Sequence, residues 1–262
     1  MNLTIKPQAF IIAETQAIIP GIVNSLAALG VQGWNSDASD DAALLTEFAG
    51  KSCYMSFDTT LNQNLTRTGT RTNHEYVQQQ IVGQGHGSVL EHSTVTFFLV
   101  NVSRVVTHEI IRHRAGAAYS QTSGRYVRSD KVNMYLPTDI AAIPEAVEIF
   151  ERAILQMEEN AKELAKVTNV DKKCFSVKKK LTSAFRRIIG NGQANHIVVT
   201  MNHRAWRHVI AMRTDPSAEE EIRVVFADIS RQLRERYKAI YADALITVVD
   251  GIEVTTFVHT KV

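Results

Sequence analysis

Apolar positions along the chain fall into two periods. Val147, Phe150, Ile154, Met157, Ala161 and Leu164 recur at spacings of three and four. Only an amphipathic helix gathers these onto one face, and Pro144 suits its first turn. Ile222, Val225, Ile229, Leu233, Tyr237 and Ile240 repeat the pattern near the end of the chain. Ser217, with Glu220 three residues later, reads as a capping box in front of that long helix. Two other stretches, STVTFFLVN over 93–101 and NHIVVTM over 195–201, are dense in β-branched and aromatic residues and predict strands. Each runs into a helical pattern, over 103–114 after the first and 202–213 after the second.

Earlier in the chain, the polar SDASDD at 36–41 predicts a loop before a helix over 42–54. The Thr- and Asn-rich stretch 58–73 is poor core material and predicts a loop, a candidate lid. From His74 the pattern turns helical through Tyr76, Ile81 and Val82 until Gly83, Gly85 and Gly87 end it. A further loop is expected over 115–126. Several helices with scattered strands and no regular βαβ alternation give an α+β class, and 262 residues suit one domain.

Composition narrows the picture. Apolar residues make up 45% and charged residues 21%, which excludes extended disorder. The net charge is only +2, so any basic character that matters is local. No apolar stretch approaches the length of a membrane span. The opening MNLTIKPQAFII shows no cationic leader with a sustained apolar stretch, so a cytoplasmic location is expected. Two cysteines, Cys53 and Cys174, are too few for a disulfide framework and lack CxxC spacing.

Three clusters carry candidate chemistry. Residues 112–128 read RHRAGAAYSQTSGRYVR, with Arg112, His113, Arg114, Arg125 and Arg128 and no acidic residue from 110 to 129. Guanidinium groups so close repel one another unless anions neutralise them, and the planar fork of arginine binds phosphate at two points. Small residues around Gly116 allow close approach, while Ser120, Gln121, Thr122 and Ser123 add neutral donors. That mixture suits a nucleotide better than a bare phosphate, with a solvated basic loop as the alternative. In GHGSVLEH, residues 85–92, His86 and Glu91 can serve proton chemistry and Ser88 adds a donor; structural histidines explain the segment equally well. In TMNHRAWRHVIAMRTDP, residues 200–216, Arg204 and His208 share a helix face. Together with Asn202 and Arg213 they offer donors for anionic or carbonyl groups, unless Arg207 or Arg213 simply pairs with the acids at 219–221. Neither HExxH nor GxGxxG spacing is present, so no metal site or dinucleotide fingerprint is expected. A rival reading, a nucleic-acid binder using the 112–128 loop and KKCFSVKKKLTSAFRR, is disfavoured by the near-neutral chain.

Taken together the clusters resemble the flavin-dependent thymidylate synthases. The family signature, RHR followed at seven or eight residues by Ser, is met by Arg112-His113-Arg114 and Ser123, continuing as SGRY. GHGSVLEH and NHRAWRHVIAMR with DPSAEEEIR resemble its flanking segments, so the likeness covers about residues 45–235. It implies a central mixed α/β core with long flanking helices, a single domain over 1–262, and a family-variable extension over 1–40. It also implies methylation of dUMP to dTMP with FAD as cofactor, 5,10-methylenetetrahydrofolate as carbon donor and NADPH as reductant, by a homotetramer whose subunits share active sites. Arg112, Gln121, Ser123, Gly124, Arg125, Arg186 and Arg213 would bind dUMP, with Glu109, where many relatives have Gln, near the uracil. His86, Ser88, Glu91, Arg112, His113, Arg114, Asn202, Arg204 and His208 would contact FAD, and folate and pyridine nucleotide would approach at His86. Arg213, Ser123 and His86 would serve catalysis, Ser123 as an orienting donor and not as a nucleophile. No enzymic cysteine is required, although Cys53 lies in a segment resembling one that approaches the flavin. No nucleic-acid or membrane partner is expected.

Overall fold

The computed structural model describes residues 3, 5–57, 71–126 and 131–260. Among these are six strands: β1 (Gln8–Glu14), β2 (Thr94–Ser103), β3 (Ala117–Gln121), β4 (Ala194–Asn202), β5 (Ala244–Val249) and β6 (Ile252–Phe257). The α-helices are α1 (Ile19–Ala28), α2 (Asp41–Tyr54), α3 (Asn73–Tyr76), α4 (Arg104–Ile110), α5 (Thr138–Ala141), α6 (Pro144–Thr168), α7 (Phe175–Phe185), α8 (His203–Arg213) and α9 (Glu220–Arg236). This is an α+β arrangement, as the alternation of periods requires. Residues 58–70 of the candidate lid predicted over 58–73, and Arg128, lie outside the described residues, while Asn73 at its end already opens α3.

Period-two alternation builds the centre. Val95, Phe97 and Leu99 of β2 and Ile197, Val199 and Met201 of β4 are fully buried on one face of an antiparallel sheet with strand order β1-β2-β4-β3. Helices α8 and α9 cover that face through Trp206, Ile210, Ile222, Phe226 and Ile229. The Trp206 indole N–H donates to the Val95 carbonyl at 3.2 Å, so the largest core side chain is also polar-satisfied. Each such side chain contributes about 1.5–3 kcal/mol on burial. Helix α6 lies apart from this core. Its Ile154, with Val147, Phe150 and Met157, packs on Val132 and Met134 in a smaller cluster.

Several predicted elements are corrected. The helix expected from His74 is a single α turn that widens into a π-helix over Val77–Val82, with Gly83 N–H donating to the Gln78 carbonyl at 2.8 Å. The expected loop 115–126 contains β3, because the unpaired edge of β4 offers it a full ladder. Ser217 does not cap α9: its N–H and hydroxyl are bound to the Asp215 carboxylate at 2.9 and 2.5 Å. Glu219 takes that role, folding back onto the N–H groups of Glu221 and Ile222. Helix α9 ends at Arg236, before Tyr237 and Ile240, and the 103–114 helix ends at Ile110.

Candidate active site

Two strand–helix units shape the site. Ser103 ends β2 and caps α4 by accepting from Val106 N–H at 3.2 Å; Asn202 ends β4 and caps α8 by accepting from Ala205 N–H at 2.8 Å. Because β2 and β4 are antiparallel, with Thr94 opposite Asn202 and Ser103 opposite Ala194, the helices start at opposite ends of the sheet. They run toward each other until their C-termini meet. There Arg213, the last residue of α8, donates from one terminal nitrogen to Glu109 Oε2 at 2.8 Å and from Nε to His113 Nε2 at 2.9 Å. Two helix C-termini and a carboxylate converge, so a cation at this point is electrostatically favoured.

His113 accepts from Arg213, so its Nε2 carries no proton. Its pKa is pushed down to about 4 by burial, with Arg213 and His208 adding to the effect. His208 stands at 6.1 Å between ring centroids. A histidine with a depressed folded pKa contributes stability that is present above its unfolded value near 6.5 and lost as pH falls toward 4. The melting-temperature difference between wild type and His113→Asn is therefore expected to narrow on acidification through that window. A difference that widens would contradict the neutral, hydrogen-bonded imidazole.

The turn after α4 is held from below. The Tyr119 hydroxyl lies 2.8 Å from the Ile110 carbonyl and 2.5 Å from that of His113. Gln121 donates to the Thr107 hydroxyl at 2.9 Å. Gly116 adopts φ +67°, and a Cβ there would stand 2.4 Å from the Asn202 amide nitrogen, so only glycine fits beside the cap of α8.

A second group lines a cavity of about 450 Å³ formed by Arg104, His108, Gly124, Arg186, Arg187, Asn191 and Gln193, with Phe185 and Ile189 among its apolar neighbours. Arg104 donates to the Thr122 carbonyl at 3.3 Å. Its pKa is lowered by burial and then by the neighbouring Arg186, the signature of two cations sharing a wall. Gly124 faces both: a Cβ there would sit 3.7 Å from an Arg104 nitrogen and from Arg186 Cδ. Ser123 shapes this turn, its Oγ accepting from Arg125 N–H at 3.3 Å.

The third group is the pair Arg204–Glu91 at 2.6 Å, each side chain close to half exposed. Ser88 is exposed on the 3-10 turn Gly87–Glu91 that leads to Glu91. His86, just before it, is half-buried, with Nε2 3.3 Å from Gln84 Oε1 and its ring 6.2 Å from that of Tyr54 in a T-shaped arrangement. Arg112, Arg114 and Arg125 are exposed and form no ion pair among the described residues; Arg125 lies 5.7 Å from the Tyr126 ring centre.

The structure thus joins Glu109, His113, His208 and Arg213, joins Gly124 and Arg186, and joins Glu91 and Arg204. Arg207 and Arg213 do not pair with the acids at 219–221: Arg207 is buried against Asp243, and Arg213 holds Glu109. Sequence reasoning missed Arg104 and His108. A signal was available, because Arg104 and His108 repeat the four-residue spacing of Arg204 and His208 in the equivalent helix.

This geometry can be set beside known proteins. Residues 36–237 match the family model described as thymidylate synthase complementing protein. The chain belongs to that family. It is 38% identical over 230 residues to the flavin-dependent thymidylate synthase of Mycolicibacterium vanbaalenii, covering 85% of this chain and 88% of the relative. It is 36% identical to that of Mycobacteroides abscessus, covering 93% and 92%. A crystal structure of thymidylate synthase X from Helicobacter pylori with FAD and dUMP shares the fold at a TM-score of 0.55 and 18% identity, covering 77% of this chain and 93% of that one. The match to the thymidylate synthase complementing family begins after β1, yet β1 pairs with β2 along the sheet and completes its edge. The β5–β6 hairpin lies beyond the match at the other end.

Proposed function

We propose that the whole chain acts as one flavin-dependent thymidylate synthase domain, converting dUMP to dTMP with FAD, 5,10-methylenetetrahydrofolate and NADPH. The observation that carries this reading is the paired wall of Arg104 and Arg186 facing Gly124, in a chain of this family. Two guanidinium groups that raise each other's energy are relieved by a dianion between them, so the dUMP phosphate belongs there. The cavity of about 450 Å³ is within the range of small-ligand sites.

From that anchor, helix α4 leads to the Arg213 cluster. Arg213 and Glu109 offer a donor and an acceptor for the carbonyl and N3–H edge of uracil, and Gln121, Ser123 and Arg125 flank it. Neutral His113 keeps the Arg213 plane fixed through Nε2, so this cation is oriented before the pyrimidine gains charge. The Ser123 hydroxyl accepts from the backbone and keeps its own hydrogen to donate to substrate.

The donor set also suits a flavin. Exposed Arg204 with Glu91 presents donors and an acceptor at one edge; Ser88, Asn202, His113, His208, Arg112 and Arg114 supply the remaining polar contacts, with His86 beside the approach of folate and NADPH. When bound, FAD supplies the hydride carrier between the pyridine nucleotide and the pyrimidine. Exposed Arg112, Arg114 and Arg125 suit a ligand held partly by another copy, so the active form is read as a homotetramer with shared sites in the cytoplasm. Neither cysteine belongs to the three groups, and none is needed as a nucleophile.

The test is dUMP-dependent dTMP formation with these reagents, together with dUMP affinity in Arg104→Ala. A loss of about 2 kcal/mol or more in dUMP binding is expected, with FAD content retained. Wild-type enzyme that forms no dTMP, or a variant that binds dUMP normally, would overturn the reading.

A further inference from the structure

Three consecutive glutamates open α9, and each engages a different segment. Glu219 caps its own helix. Glu220 receives the Thr138 N–H at 3.0 Å, the Thr138 hydroxyl at 2.5 Å and the Tyr135 hydroxyl at 2.5 Å. Glu221 reaches the corner where β2 becomes α4, and there the Ser103 N–H donates to its Oε1 at 2.7 Å. Glu221 is 3% exposed and Ser103 2% exposed, and Glu221 forms no ion pair among the described residues.

A buried carboxylate without a counter-charge is costly, and burial holds the Glu221 pKa up to about 7 against the pull of its Ser103 hydrogen bonds. What it secures is the corner. The Ser103 N–H leaves the strand ladder just where the helix begins, and a buried donor with no acceptor would let the backbone relax to find one. The next residue is Arg104. Its side chain is long and sits beside another cation, and among the described residues its guanidinium makes one hydrogen bond, 3.3 Å to the Thr122 carbonyl. A flexible guanidinium in a repulsive position stays there only if its backbone is held firmly.

We infer that Glu221 is a positioning residue for the nucleotide site, acting through the Ser103 backbone to hold Arg104 against Arg186 in the anion cavity. The inference rests on that cavity being the phosphate site of dUMP.

A double-mutant cycle on dUMP affinity of the FAD-loaded enzyme tests it. Glu221→Ala is expected to weaken dUMP binding about tenfold in the wild-type background but less than about twofold in an Arg104→Ala background. Glu221→Gln, which keeps an acceptor oxygen for Ser103, should stay within about threefold of wild type. FAD content should not change in any variant. If Glu221→Ala does not fold, Glu221→Asp, one methylene shorter, takes its place in the cycle with a smaller loss of about threefold. Equal losses in both backgrounds, or undiminished affinity in Glu221→Ala, would overturn the role of Glu221 while leaving the phosphate site standing. Normal dUMP affinity in Arg104→Ala alone would remove the site and this inference together.

Discussion

Replacing Arg213 with alanine is expected to lower kcat for dTMP formation by about 100-fold or more, on the order of 3 kcal/mol of transition-state stabilisation. The side chain is 18% exposed and is held at Nε and Nη1 by His113 and Glu109, with its remaining nitrogen 3.4 Å from the Glu109 carbonyl. Truncation therefore removes an oriented cation and leaves Glu109 as an uncompensated carboxylate beside two helix C-termini. Lysine keeps the charge but cannot bridge both partners with one planar group, so Arg213→Lys should recover only part of the rate. Steady-state kinetics at saturating dUMP decide it, with circular dichroism confirming the fold. A variant within threefold of the wild-type rate would remove Arg213 from the catalytic groups.

The second large effect is on stability. Arg207→Ala is expected to cost about 3–5 kcal/mol, because it strands a buried Asp243. For a chain of this size that corresponds to a melting temperature lower by roughly 10 °C. Arg207 is fully buried, pairs with Asp243 through two bonds of 2.7 and 2.9 Å, donates to the Ile240 carbonyl at 2.8 Å, and lies 4.1 Å from the centre of the Phe257 ring. It fastens α8 to the turn after α9 and to β6. Arg204, three residues earlier, forms an ion pair with both partners close to half exposed, and its truncation should leave the melting temperature within about 2 °C. Comparable losses in the two variants by scanning calorimetry would refute this division between structural and ligand-facing arginines.

The same helix shows how far the chain alone could be read. Its helical period and the shared face of Arg204 and His208 were legible, because they depend on neighbours within one or two turns. Which of its arginines turns inward was not, since Asp243 lies 36 positions away. His203 was equally opaque. It is fully buried between Tyr237 and Tyr241, and burial drives its pKa down to about 3, although Arg204 beside it is exposed.

The 112–128 segment divides in the same manner. Its excess of arginine predicts an anion site, and the pattern predicts a loop over 115–126. Yet β3 within it was hidden, because alternation over Ala117, Tyr119 and Gln121 is too short and its residues too small to register as a strand. Pairing with β4 supplied the missing hydrogen bonds. Likewise Ser217 had the right spacing to cap α9, but Asp215 claimed its hydroxyl and Glu219 was left to close the helix end.

Local chemistry along the chain was enough to determine the α+β class, the long helices α6 and α9, and the two strands β2 and β4. Tertiary structure alone decided that α4 and α8 would meet end to end, that Arg104 would join Arg186, and that Arg207 would serve the core. Periodicity and capping act over a few residues and are written in order along the chain. Charge pairing and cavity walls depend on which distant segments the buried sheet brings side by side.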